Sequence, residues 1–228
     1  MTVWQLTRLC SLYKTTDRAN FQHMGKGEQK RQDIIEHALM LAGQVGLEGL
    51  SLGGLATSME ISKSGLFAHF KSKEALQLAV LELARERFVA EVMAPAVALP
   101  RGLSRLNGLF DRYLAWIRGQ ASQGSCIFMA LAHEYDDRPG EIRDVLVNCW
   151  REFGGSVARV AATAITEGEF RPDCDPGQFA FEFVGIVMVF QHAHKLMGEA
   201  QAEARARQAF KRLLRSYRQP EVLAVRPA

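Results

Sequence analysis

Lys63, Ser64, Gly65, Phe67 and His69 lie within one short stretch of the chain. Helical spacing puts them away from Leu66 and Phe70, which fall four apart on a single apolar face. The group is small, polar or basic, as a helix pushed into a DNA major groove requires. Ser62 is placed to cap that helix, and Glu60-Ile61 makes a tight turn ahead of it. Before the turn, Ser51 caps another short helix with an apolar stripe of Leu52, Leu55, Ala56 and Met59. After it, Ser72 starts a third. Residues 51–76 therefore read as a helix-turn-helix, one of the few local patterns whose geometry implies a partner.

Other candidate chemistry is sparse. Cys126 follows Gly124-Ser125 at an expected helix start, a position that can activate a thiol and make a redox sensor. A buried structural cysteine fits the same residues. His192 and His194 are two apart on a helix and diverge, whereas a metal site wants three or four, so no metal is expected. No Ser/His/Asp arrangement appears. An all-helical lyase or hydrolase using Cys126 or His133 is the enzymatic alternative, and no spacing supports it; we expect no enzyme and no cofactor. The four cysteines (Cys10, Cys126, Cys149, Cys174) form no CxxC pair, which suits reduced thiols in a cytoplasmic protein.

The elements that must hold this site are helical. The 228 residues carry 28 Lys+Arg against 25 Asp+Glu, a net charge of +3 too mild to prove a nucleic-acid partner, so any basic patch is local. The longest strongly apolar run, Phe183 to Phe190, is far short of the ~20 residues a bilayer needs. Residues 1–25 read as a flexible extension, with Met24 a possible natural start; Lys26, Lys30 and Arg31 open the next helix and either reach DNA backbone or are simply solvated. Gln29 to Val45 turns Ile34, Ile35, Ala38, Leu39, Ala42 and Val45 to one face before Gly46 and Gly49 bend the chain. A long helix is expected from Lys73 to about Met93, with Pro95 and Pro100 as breaks. Further helices follow over Leu103–Ile117 and from near Ser125 to His133. Another starts at Pro139 and runs to about Glu167. The next is capped by Asp175, and the last spans about Ala200–Ser216, with Ala204, Ala209, Phe210, Leu213 and Leu214 inside. Residues 218–228 read as a frayed tail.

The helix Pro176–Met197 is apolar all round, with Phe179, Phe181, Phe183, Val184, Ile186, Val187, Val189 and Phe190. Such a helix must be buried on every side. The chain's own core covers one side, and a second copy is the economical cover for the other. The helix over residues 200–216 is expected to complete the interface.

Three short helices with a turn motif, then a linking helix and a larger helical part, resemble the tetracycline-repressor (TetR) family. The residues that carry the likeness are Leu55-Ala56, Met59-Glu60-Ile61-Ser62, Phe67-Ala68-His69-Phe70, Lys73 and Leu76. Glu60 stands where the family usually has Gly, and Phe67 where Tyr is usual. The resemblance implies that Lys63, Ser64 and Gly65 approach base edges and that Phe67 and His69 lie against sugar and phosphate. Lys73 and the helix start around it would hold a phosphate, as would Ser51; Ser51, Ser62 and Ser72 also serve as caps, and His69 as packing. It implies too a pocket for a lipophilic or aromatic molecule near Phe110, Tyr113, Trp116, Phe128, Met129, Trp150, Phe153 and Phe183, residues that equally suit a plain core. His133-Glu134 and Arg112 are candidate polar anchors.

The reading is an all-α chain: a helix-turn-helix DNA-binding domain over 26–72, then a helical ligand-binding and dimerisation domain over 73–217. The expected protein is a cytoplasmic homodimeric repressor of a palindromic operator in double-stranded DNA, released by an unknown small-molecule effector. A ligand-independent DNA-binding dimer and a thiol sensor using Cys126 are the alternatives.

Overall fold

The computed structural model describes residues 25–119 and 127–219. Among them the chain is helical apart from turns and one isolated bridge pairing Phe170 with Arg218. The helices are α1 (Lys26–Gly49), α2 (Leu52–Ser58), α3 (Lys63–His69), α4 (Lys73–Phe88), α5 (Leu103–Gly119), α6 (Ile127–Tyr135), α7 (Glu141–Thr166), α8 (Pro176–Gln191) and α9 (Ala202–Tyr217). They form two compact units: residues 25–94 with 119 and 127–147, and residues 95–118 with 148–219.

In the first unit α1 buries Ile34, Ile35, Ala38 and Ala42. It kinks at Gly46, where φ is 74°, a conformation that a Cβ would strain. Past the kink the inward position passes to Leu47 and then Leu50, so Val45, expected inside, is 55% exposed. Leu39 is only half-buried. Leu55 and Ala56 of α2, Leu66 of α3, and Leu76, Val80, Leu81, Leu83 and Ala84 of α4 close this core together with Phe70.

Pro95 does not break the chain. A π-helical turn over Val89–Met93 widens the backbone, and helix resumes over Ala94–Val97. The wider turn suits a ring that has no N–H to offer and would clash in a regular α-helix. Pro139 lies ahead of α7 rather than at its first position: Gly140 accepts from the Asp144 N–H, and α7 begins at Glu141.

The second unit is built on rings. Phe110 of α5 stacks on Phe210 of α9 at 4.1 Å between centroids and meets Phe183 of α8 edge-on at 6.0 Å. Glu169, in the loop between α7 and α8, accepts the Leu103 N–H at 2.6 Å and so caps the start of α5. Asp175 caps α8 through the Gly177 N–H, with Pro176 in the first turn. Phe210, Leu213 and Leu214 face this core, whereas Ala204 is exposed. α8 runs into a π-helical segment over His192–Leu196.

The turn between α2 and α3 closes in a Schellman arrangement. The Ile61 N–H reaches the Ala56 carbonyl at 3.0 Å and the Glu60 N–H reaches Thr57 at 3.2 Å. This puts Glu60 in the left-handed region, at φ 55°. A side chain costs about 1–2 kcal/mol there, partly offset by the greater chain entropy that a glycine would lose on folding, about 0.5–1 kcal/mol. Glu60→Gly should therefore raise the unfolding free energy by about 0.5–1 kcal/mol, read as a higher denaturant midpoint; a lower midpoint would contradict the strain.

Candidate nucleic-acid interface

α3 is presented by three serine caps in succession. Ser51 Oγ accepts the Gly54 N–H, Ser62 Oγ the Gly65 N–H and Ser72 Oγ the Ala75 N–H, each at 3.0 Å. Each cap satisfies an amide that a helix start leaves without a partner, which is why such short helices persist. Leu66 and Phe70 anchor α3 inward. Its outer face carries Lys63, Ser64 and Phe67 exposed, Phe67 at 49%, with His69 half-buried. Ser64 Oγ lies 3.2 Å from Ser62 Oγ.

Of the two glycines beside this face, one is tightly placed. A Cβ on Gly65 would stand 3.1 Å from Ser62 Oγ, crowding the cap. A Cβ on Gly53 would meet the Lys63 stem at 3.5 Å, ordinary contact. Arg31 lies over the Phe70 ring at 4.8 Å from its centroid, so its guanidinium packs against the head as well as carrying charge. Lys26 and Lys30 are exposed.

Lys73, expected at a phosphate, is engaged within the protein. Its ammonium donates to the Glu48 carbonyl at 2.7 Å and to the Glu48 carboxylate at 3.0 Å. The Tyr135 hydroxyl donates to the same carboxylate at 2.7 Å, and the Glu48 N–H donates to Glu134 Oε1 at 2.7 Å. Gln77, buried on α4, donates to the Leu47 carbonyl at 2.8 Å. The end of α1 is thus tied to α4 and to α6 by five hydrogen bonds. Glu134, a sequence candidate for holding a ligand, serves this junction instead; His133 and Arg112 are exposed. Spacing could not reveal the junction, because Glu48 and Tyr135 are far apart in sequence and each is ordinary where it stands.

The aromatic residues expected around a ligand divide. Phe110, Tyr113, Trp116, Trp150, Phe153 and Phe183 belong to the second unit, Phe128 and Met129 to the first. Tyr113 stacks on Phe153 at 5.6 Å; Phe153 also meets Trp150 at 6.5 Å and Phe183 at 6.3 Å. Phe210, expected inside the last helix, is buried and joins this group through Phe110 and Phe183. Cys126 lies outside the described residues. Among those described, no group of three or more His, Cys, Asp or Glu is placed to hold a metal, and no helix is long and apolar enough to cross a membrane.

The Tyr135 hydroxyl and the Lys73 ammonium hold the Glu48 carboxyl below its ordinary value of 4.5. A depressed folded-state pKa contributes stability that is present above the ordinary value and lost as pH falls through the lowered one. Tyr135→Phe should cost about 1 kcal/mol at neutral pH and move the acid-unfolding midpoint upward; an unchanged acid midpoint would show that the bond contributes nothing.

Residues 34–80 match the family model described as "Bacterial regulatory proteins, tetR family", and residues 102–210 the one described as "Tetracyclin repressor-like, C-terminal domain". The sequence is similar to the HTH-type transcriptional regulator TcmR of Streptomyces glaucescens, 28% identical over 153 residues. That match covers 64% of this chain and 66% of the relative, so the chain spans just under two thirds of that protein's length. The fold is similar to that of a TetR-family transcriptional regulator from Cytophaga hutchinsonii, with a TM-score of 0.76 and 20% identity over 87% of this chain and all of the other. It is also similar to the crystal structure of AibR in complex with isovaleryl coenzyme A and operator DNA: TM-score 0.66, 23% identity, 81% of this chain and 97% of that one. The first family match falls on the capped helix-turn-helix and the second on the ring-built helices that follow it, and the chain belongs to the TetR family of DNA-binding transcriptional regulators.

Proposed function

We propose that the protein is a homodimeric repressor that reads a palindromic operator with two copies of α3 and is released by a small, largely apolar effector. The observation that carries the dimer is the bare apolar stripe on α8. Phe181 is 76% exposed and Val189 68%, with Gly185 between them on the same face and Leu196 and Met197 exposed beyond. Large apolar groups in line at helical spacing favour cover by a second copy, which brings two heads to one duplex. The exposed apolar face of α8 supports an interface formed mainly by that helix, with charged residues of α9 at its rim, since Phe210 and Leu213 are spent inside their own unit.

Lys63, Ser64 and Gly65 would meet base edges, with Phe67 and His69 against the backbone. With Lys73 engaged at Glu48, the phosphate contact at the start of α4 falls to backbone N–H groups. Release needs an effector that binds better to a dimer geometry unable to span both half-sites. The similarity to AibR, whose structure holds both isovaleryl coenzyme A and operator DNA, supports a regulator of this type. Ligand-independent binding is the second reading, favoured by the close ring-on-ring packing in the second unit.

A gel shift against the DNA upstream of the protein's own gene tests the first reading. Lys63→Ala should weaken specific binding about tenfold or more. Phe181→Asp should yield monomers by light scattering and abolish the specific complex while retaining helix content. A monomeric wild-type protein, or equal affinity for upstream and random DNA, would defeat the proposal.

A further inference from the structure

Among the described residues, Trp150 Nε1 on α7 and Gln191 Oε1 at the end of α8 are enclosed in the second unit with no hydrogen bond from the residues around them. Gln191 is only 5% exposed. Gln77 and Ser156, the other buried polar residues of this kind, are provided for. Gln77 donates to the Leu47 carbonyl; Ser156 donates to the Glu152 carbonyl and accepts from Arg159. A buried carbonyl or indole N–H with no partner carries the full penalty of leaving water, so proteins rarely keep one without a use for it. Here the Trp150 donor and the Gln191 acceptor are kept in the same unit.

Their positions relate to the rings. Phe170, held to the Ala164 carbonyl by its N–H, meets Phe179 at 5.3 Å, while Phe153 meets Phe183 at 6.3 Å. Falling numbers, from Phe170 just past the end of α7 back to Phe153 within it, thus accompany rising numbers on α8, and α7 and α8 run in opposite senses. Trp150, one turn beyond Phe153, and Gln191, two turns beyond Phe183, both lie on the same side of that ring contact along the pair. No charged side chain is buried among the described residues. A buried ion would find no opposite charge there, and burying it would be prohibitive.

We infer that Trp150 Nε1 and Gln191 Oε1 are the polar anchors for the effector, and that the effector is a neutral, mainly aromatic or alicyclic molecule bearing at least one hydroxyl group. This rests on the ligand-responsive reading above and specifies its ligand. The hydroxyl class follows from the pair of atoms: a hydroxyl oxygen accepts from the indole N–H, and a hydroxyl hydrogen is donated to the amide carbonyl. A bare hydrocarbon would leave both atoms unpaired, and a carboxylate would offer no proton to Gln191 and bring an unbalanced charge.

Calorimetric titration of the full chain at pH 7 with naphthalene, 2-naphthol and 2-naphthoate tests this. 2-Naphthol should bind about tenfold tighter than naphthalene, the combined effect of two modest hydrogen bonds, and at least about tenfold tighter than 2-naphthoate. In Gln191→Leu and in Trp150→Phe the preference for 2-naphthol over naphthalene should shrink severalfold, while naphthalene binding stays within about twofold in Gln191→Leu. Without ligand, Gln191→Leu should melt no lower than the parent, because it removes an unpaired acceptor. Equal binding of naphthalene and 2-naphthol, a preference for 2-naphthoate, no binding of any probe, a preference unmoved in both variants, or a clearly lower melting temperature for Gln191→Leu would each overturn the assignment. Operator binding and its release are scored separately by gel shift. Release by naphthalene and 2-naphthol alike would preserve the ligand-responsive reading and remove only the anchors.

Discussion

The end of α1 is where the DNA-reading head is held together. At Gly46 the helix turns sharply, and the amide and carbonyl groups of the next residues are left for other elements to satisfy. Glu48 gathers them: its amide is taken by Glu134, its carbonyl by Lys73, and its carboxylate by Lys73 and Tyr135. Gln77 takes the neighbouring Leu47 carbonyl from inside. A Cβ at residue 46 would come within 2.9 Å of a Glu134 oxygen, so the glycine serves both the angle and the approach. The start of α4 is fixed by the same junction, and α3 leads into it through Phe70 and the Ser72 cap. The pose of α3 therefore depends on a small set of polar bonds as well as on the apolar core beneath it.

The second unit solves a different problem. Its rings fill space between four helices, and it has polar bonds at helix ends and on the surface, as with Glu169 at the start of α5 and Arg207 between Asp111 and Glu203. Exposed pairs of that kind contribute little individually. Stability there comes from burying Phe110, Phe183 and Phe210 against one another. Against that background, an enclosed indole N–H and an enclosed amide carbonyl without partners stand out as features packing does not require.

Local sequence carried much of the head. Ser51, Ser62 and Ser72 cap the helices they precede, and Leu55, Ala56, Leu66 and Phe70 turn inward, because capping and four-residue periodicity act over one or two turns. Glu60 was marked by resemblance, standing where the family usually has Gly, and it sits in the left-handed region that favours glycine. Periodicity faltered where the backbone left the regular α-helix. Val45 points outward because Gly46 redirects the chain, and Pro95 is absorbed by a π-helical turn that no hydrophobic pattern announces.

What the residues determined by themselves is local: where helices start, which face is apolar, and that one short helix carries a small, polar, basic face suited to a major groove. Tertiary structure decided which long-range partners those groups meet. Lys73 looked like a phosphate ligand and is bound to Glu48; Phe210, expected inside, is stacked on Phe110 in particular; Glu134 looked like a ligand anchor and accepts the Glu48 N–H at the end of α1. Each is a contact between residues distant in the chain, set by how whole helices cross. Helical periodicity records that a side chain is buried or charged, but not which neighbour lies across from it.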